Sequence, residues 1–546
     1  MSAPDAPRLV VVHPRDLAGE NAGLYGLHVT SLVELLTPLG WRVEPYSVLD
    51  PRFPAAALAA DVTVLQMLAE PEAEAVILRR RDLGLPTVFE VTDNVLGVGD
   101  WLPGTHPVRS PLARQSLLYH AHLADSTQML VPALAELFAP VNPRQILLSP
   151  RTPFPDELPP KPDGFVFGWS GSRSHSASLA AAAPAVVELC RRHSGATFAY
   201  MGDRSVFDEH FGAIAPEQRQ LHPFGEWEEQ LRFVGGLHVG IAPMVPSPFN
   251  AARSDTRVGL YAGHGVAAVL QDAPPHRRHG GHARIYRTAA ELLDVLEELC
   301  QDRGQVEALA RAGRDWMERE RSAAALGAER DSAYRELLAR APGGRPVAGL
   351  AEHPRAELPD RPVPASPDRP VPGADELAAR LHEAYRREPE SALAACRDLV
   401  AEHPGYDQAH LLALSCLERL GRHEELLAYA GGVEPSPVYS DLFAEAAARA
   451  AARVRPAERA RHVAAVRSPF RRARLGEYGS AAEQSRAVLE HNPYDHFALA
   501  STIRRIERDH GDAPELTELY ERLCMVAPEQ VPLGGRPARL APFLPA

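Results

Sequence analysis

The chain has 546 residues, 45% of them apolar and 24% charged, with a formal net charge of -13. That length exceeds what one hydrophobic core serves and implies two to four domains. The acidic balance gives no overall support for nucleic-acid binding, and cysteines scattered at 190, 300, 396, 416 and 524 without a CxxC pair argue against a disulfide framework or zinc knuckle.

The start, MSAPDAPRLVVVHP, lacks a basic leader, and no apolar run reaches membrane-spanning length. The expectation is a cytoplasmic protein, contact with a membrane surface included. Residues 9–13 read as a buried strand, followed by a loop with Gly19, Gly23 and Gly26. Apolar residues at helical spacing over 29–39 close at Gly40, and 41–46 is a second strand. Further strands are expected at 61–67, 87–91, 123–126 and 146–148, with a helix at 130–138. Such alternation implies a parallel sheet covered on both faces.

The Pro-rich patch 150–162 reads as an interdomain connection. Beyond it, strands at 165–169, 197–201, 237–244 and 267–270 alternate with helices at 178–193, 227–234 and 260–263. Helical runs at 289–299 and 306–338 return over the domain interface. The fold class is therefore α/β: two Rossmann-like, doubly wound domains, 1–155 and 156–340, with a cleft between them. Residues 341–373, dense in proline, glycine and charge, form a linker. Helices at 374–387, 391–402, 406–420, 423–430, 480–491, 495–510 and 513–524 follow, broken near Pro404, Pro493 and Pro528. Their alanines and spacing suggest a tetratricopeptide-like solenoid over 374–530, a plain helical bundle being the alternative; 531–546 is a tail.

Several loops carry chemistry. GENAGLYG (19–26) leaves a strand and enters a helix, so Gly23 lets the backbone approach a ligand, although the spacing is not the dinucleotide fingerprint. GWSGSRSH (168–175) runs from a buried strand into small residues, and Ser170, Gly171, Ser172, Arg173 and His175 offer a tight turn, hydroxyls and charge to a phosphate. Asp203, in MGD, ends the next strand. Arg253 and Arg257 stand four residues apart and share a face if helical, two guanidiniums suited to a diphosphate, with Ser254 beside them. Asp255 between them offsets part of that field, and a solvated basic turn is the plainer reading. Asp93, after the strand 87–91, faces the interdomain crevice, where an acid binds hydroxyls or serves as a base. His120 and His122 lie in a Leu/Tyr-rich helical stretch. HExxH, EF-hand, GxSxG and P-loop motifs are absent from the sequence, and no metal is expected.

Together FEVTDN (89–94), FGWSGSRSH (167–175), MGD (201–203) and IAPMVPSPFNAARSDTRVGLYAGHGVAAV (241–269) resemble the two-domain GT-B glycosyltransferases, retaining family 4 in particular, over residues 9–338. Phe249, Asn250, Arg253, Ser254, Arg257, Tyr261, Gly265, Val266 and Val269 fall in register with that family. The resemblance implies transfer of a sugar from a nucleoside diphosphate sugar, the donor substrate, to an acceptor hydroxyl of a glycan, lipid-linked or protein acceptor, without cofactor. It implies that Arg253 and Arg257 steady the departing diphosphate. Ser170, Gly171, Ser172, Arg173, His175, Asp203 and Ser254 would line the donor, and Gly23, Asp93 and His120 the first-domain side. One departure stands out: where the family places an acid before Tyr261, for the ribose hydroxyls, this chain has Leu260, and Ala267 replaces a proline. The alternative is a catalytically degenerate member that binds a protein partner through its helical repeats.

Overall fold

The computed structural model describes residues 6–14, 25–98, 107–152, 155–340, 373–476, 478–511, 513–532 and 535–544. Residues 341–372 of the expected linker and the Gly19–Gly23 loop lie outside them. The first sheet comprises β1 (Arg8–His13), β2 (Arg42–Ser47), β3 (Val62–Gln66), β4 (Thr87–Val91), β5 (Ser126–Met129) and β6 (Gln145–Leu147). β3 and β4, VTVLQ and TVFEV, are buried at every position, as β-branched strands covered on both faces must be. The second sheet comprises β7 (Phe165–Ser170), β8 (Ala196–Met201), β9 (Arg219–His222), β10 (Val239–Ala242), β11 (Ala267–Gln271) and β12 (Arg284–Tyr286). All recorded pairings are parallel, in the orders β2-β1-β3-β4-β5-β6 and β12-β11-β10-β7-β8-β9. Two Rossmann-like domains are thus present, as the sequence implied.

Four elements differ from expectation. The strand placed at 123–126 is β5, Ser126–Met129, because the helix Pro111–Leu123 carries its apolar face through Leu117, Leu118, Ala121 and Leu123. The run 306–338 splits into Arg303–Glu320 and Ala323–Arg340, since Arg321 turns inward to the carbonyl of Pro150 and the carboxylate of Asp255. The first of these helices lies on the second domain. The other crosses to the first, where Tyr334 packs beside Trp41. β9 and β12, RQLH and RIY, are half-exposed edges without the apolar run that announces a central strand.

The helical region runs from Ala374–Tyr385 to Glu515–Val526, each helix packed on its neighbour in the chain. It includes three helices the sequence pattern did not announce, Ser440–Val454, Pro456–Ala465 and Pro469–Leu475. Its apolar face is continuous with the first domain: Val48, Leu49, Phe53 and Tyr119 share one buried cluster with Tyr406, Tyr439, Phe470 and Tyr494. The hydroxyl of Tyr406 donates to the Leu49 carbonyl at 2.6 Å. Arg471 bridges Glu74 of the first domain and Glu445 of the array, all three buried or nearly so. Burial opposes the charge on Arg471, but the two carboxylates outweigh it and raise its pKa.

Replacing Arg471 with methionine leaves buried Glu74 without its cation and Glu445 with Arg449 alone, a change that costs about 3–5 kcal/mol. Urea unfolding of Arg471→Met should show a midpoint lowered accordingly; an unchanged midpoint would mean that the array does not dock through this triad.

Candidate functional site

The order of the second sheet fixes where the site forms. β10 pairs with β7, Gly240 opposite Gly168, so the chain leaves these neighbouring strands in opposite directions. Ligands bind in the crevice at such a switch point, outside the carboxyl ends of the strands. The turn after β7 carries Gly171 to His175, and the loop after β10 carries Ser247 to Asp255. That loop is pinned: Val245 N–H donates to Ser178 Oγ at 3.2 Å, Met244 N–H to Gln271 at 2.7 Å, and the Asn250 side chain to the Val245 carbonyl at 2.9 Å.

At the junction the guanidiniums of Arg253 and Arg257 converge on one atom, Nε2 of His175, Arg257 at 3.2 Å and Arg253 closer still. Arginine only donates, so Nε2 accepts and the imidazole is neutral with its proton on Nδ1. Burial, then Arg253, Arg257 and His276, hold the His175 pKa well below its ordinary value. Arg253 lies over the Phe249 ring at 4.6 Å and Arg257 over Trp169 at 4.9 Å, and Trp169 stacks on Tyr200. Arg257 Nη1, Arg253 Nε and His175 Nδ1 are buried without a hydrogen-bond partner among the described residues. Across the domain gap, Asp93 is the carboxylate that opposes the loss of charge on the half-buried Arg253. The cluster is therefore cationic with unspent donors, chemistry suited to an anion.

Arg253 does not share a helix face with Arg257. The helix Thr256–Gly263 begins only after it, and the two meet through His175 instead. Gly171 is where backbone must pass close: a Cβ there would lie 2.8 Å from Arg257 Nη2 and 2.6 Å from the Trp169 ring.

Other candidate residues lie elsewhere. Arg173 is exposed and engages Asp203 at 3.3 Å and Ser205 at 3.1 Å, while Asp203 caps the helix Arg204–Phe211. Both are taken up by that surface turn. Ser172 bonds Ser174 at 2.7 Å, Ser254 bonds Thr256 at 2.6 Å, and buried Ser170 accepts from Gln230 at 3.4 Å. His120 is a correction: it sits in the first-domain core, its Nδ1 on the Leu68 carbonyl at 2.8 Å, and burial pushes its pKa down to about 4. Asp255 does not offset the arginine pair either. It turns to Arg278, His279 and Arg321, and although burial alone would raise its pKa, these partners hold it below the usual carboxylate range. Leu260 is buried in an apolar cluster with Val234, Leu237, Tyr261 and Trp316. Gly23 lies outside the described residues.

The sequence pattern did not announce the aromatic rings under the arginines, nor the contact that closes one side of the gap. Gly26 lies so near Trp227 of the second domain that a Cβ would come within 2.3 Å of its ring. A strand-to-helix glycine loop opposite an aromatic helix start is the only signal that could have suggested it.

No protein-family model matches the sequence, and no curated protein matches it. Among solved structures the chain is similar to sucrose-phosphate synthase from Thermosynechococcus elongatus, at 12% identity and a TM-score of 0.47, over 61% of this chain and 99% of that one. It is similar to Anabaena HepE in complex with UDP and glucose, at 10% identity and a TM-score of 0.45, over 60% and 100%. A glycosyltransferase from Rickettsia africae matches at 10% identity and a TM-score of 0.45, over 62% and 100%.

Two outcomes follow from this geometry. Gly171→Ala should push Arg257 off His175 and weaken pyrophosphate binding about tenfold, roughly one charged hydrogen bond, with the circular-dichroism spectrum intact; calorimetry reads it. Asp255 has a folded pKa below its unfolded value of about 3.9, so its stabilisation is present above that pH and is lost as the pH falls through the folded value. Asp255→Asn should therefore flatten the fall in stability below about pH 4, measured as the wild-type-minus-variant difference in urea midpoint.

Proposed function

We propose that this chain is a GT-B glycosyltransferase, moving a sugar from a nucleoside diphosphate sugar to an acceptor hydroxyl. The observation that carries the reading is the convergence of Arg253 and Arg257, with unspent N–H groups, on the turn at Gly171. Negative charge grows on the departing diphosphate as the glycosidic bond breaks, and preorganised cations lower the barrier most when they need not move to meet it. The rings of Phe249 and Trp169 hold both guanidiniums in place beforehand. Neutral His175 takes part as an acceptor that fixes their direction, not as an acid.

Asp93 is a first-domain carboxylate whose field reaches Arg253, suited to orient an acceptor hydroxyl or receive its proton. The Gly26–Trp227 contact narrows the gap, which keeps water from competing for the sugar.

Leu260 favours a second reading. Its side chain is buried among apolar groups, so ribose hydroxyls would find no carboxylate there, and the site would hold a diphosphate without a full donor grip. On that reading the chain binds a nucleotide and works through its helical array as a partner-binding protein.

Titration with UDP, GDP and pyrophosphate, followed by incubation with a panel of UDP- and GDP-sugars, separates these readings. An active enzyme binds a nucleotide more tightly than pyrophosphate and releases it from one sugar nucleotide. A degenerate one binds but releases nothing. Arg257→Ala should weaken UDP binding by about 1.5–3 kcal/mol, and an unchanged affinity would remove the donor site from this cluster.

A further inference from the structure

On the first sheet, Gln66 closes β3 opposite Glu90 of β4, which stands opposite Gln128 of β5. Side chains in parallel register share a face, so three polar groups form a row across strands whose neighbouring positions, Val64 and Val88, are core. Each member of the row is 2% exposed. Burying such groups is costly unless their hydrogen bonds are made.

Part of the row is satisfied. Glu90 Oε1 meets His28 Nδ1 at 3.2 Å and accepts from Gln128 at 3.0 Å, and the Tyr334 hydroxyl donates to Gln128 at 2.6 Å. The rest is not: Glu90 Oε2 and both amide atoms of Gln66 are buried without a hydrogen-bond partner among the described residues. These loose ends lie at the carboxyl ends of β3 and β4, the ends outside which parallel sheets take their ligands. His28 belongs to the π-helical turn Tyr25–Thr30, an irregularity frequent at functional sites, and Gly26 of that turn touches Trp227. Asp93 follows Glu90 by three residues. Arg330 is the cation that reaches Glu90 electrostatically, and its own N–H groups go to the carbonyls of Leu326 and Ser149.

We propose that Gln66 and Glu90 form a subsite for an uncharged, polyhydroxylated part of the acceptor, a sugar ring without phosphate. The inference rests on the glycosyl-transfer reading. An amide offers donors and an acceptor, a carboxylate oxygen only accepts, and hydroxyls both donate and accept, so a diol satisfies both. Adjacent strands stand about 4.8 Å apart, a span that hydroxyls on one ring bridge. Glu90 repels an anion here, and the N–H groups of Arg330, the cation near it, are already donated to backbone carbonyls. The molecule thereby separates its charges: diphosphate on the second domain, neutral hydroxyls on the first.

Saturation-transfer NMR on the full chain, with glucose, mannose, galactose, N-acetylglucosamine and glucose 6-phosphate as probes, with and without UDP, tests this. At least one uncharged sugar should receive saturation, glucose 6-phosphate should not, and the signal should fall about tenfold or more in Gln66→Leu and in Glu90→Gln. Gln66→Leu should keep or raise the melting temperature, since it replaces an unpaired buried amide by an apolar group. Equal saturation in both variants, saturation by the phosphate alone, or none from any sugar would overturn the subsite and leave the row as a seat for ordered water. UDP titrations on the same samples read the second domain separately. Sugar saturation lost in the variants without UDP binding would sink the donor reading and keep the subsite.

Discussion

Two like charges held against a single imidazole nitrogen are the constraint on which the second domain is organised. Arg253 and Arg257 repel each other, and burial disfavours both, so their proximity has to be stabilised by something fixed. The aromatic faces of Phe249 and Trp169, the lone pair of neutral His175 and the distant Asp93 carboxylate supply part of it. What remains is unneutralised positive charge. On the proposed reading a diphosphate would meet donors already aimed, so little ordering would be left for the binding step itself.

The anchor of this arrangement lies on the far side of the same helix. Asp255 precedes Thr256–Gly263, and its carboxylate joins Arg278, His279 and Arg321. Arg321 stands at the break between the two long helices and also donates to the carbonyl of Pro150, in the connection between the domains. The start of the helix that carries Arg257 is thereby tied to the point where the chain crosses from one domain to the other. A residue that in sequence seems to dilute the cationic field serves instead to orient it.

Much of this was legible in the sequence because the relevant segments are local. Buried runs flanked by glycine gave the central strands, and the turn at Gly171 and the loop at Arg253 were identifiable where strands end. Their meeting follows from sheet order, which local pattern does not contain. Arg253 and Arg257 were read as one helix face, yet the helix begins between them and the convergence is tertiary. His120, Arg173 and Asp203 had the right chemistry in the right neighbourhood and were taken by burial or by a surface turn. The polar row of Gln66, Glu90 and Gln128 was invisible because its members are far apart in the chain and meet only through the register of three strands.

Asn94 shows how far the helical array enters the site. Its side-chain oxygen accepts from Leu96 and Gly97 N–H, both at 3.1 Å, and its amide donates to the carbonyls of Pro248 at 3.2 Å and Phe543 at 2.9 Å. Every hydrogen of that amide is spent, and each partner belongs to a different part of the molecule: the second domain beside Phe249 and the C-terminal segment after the last helix. Asp93 is the residue immediately before it. Opening the gap at this edge means breaking amide hydrogen bonds that are buried, a cost set jointly by both domains and by the end of the array. With the array sharing its core with the first domain and its last turn seated against Asn94, the helices form one wall of the frame that sets Asp93 against Arg253. A partner that displaced the C-terminal segment would act on that separation directly, without touching either group.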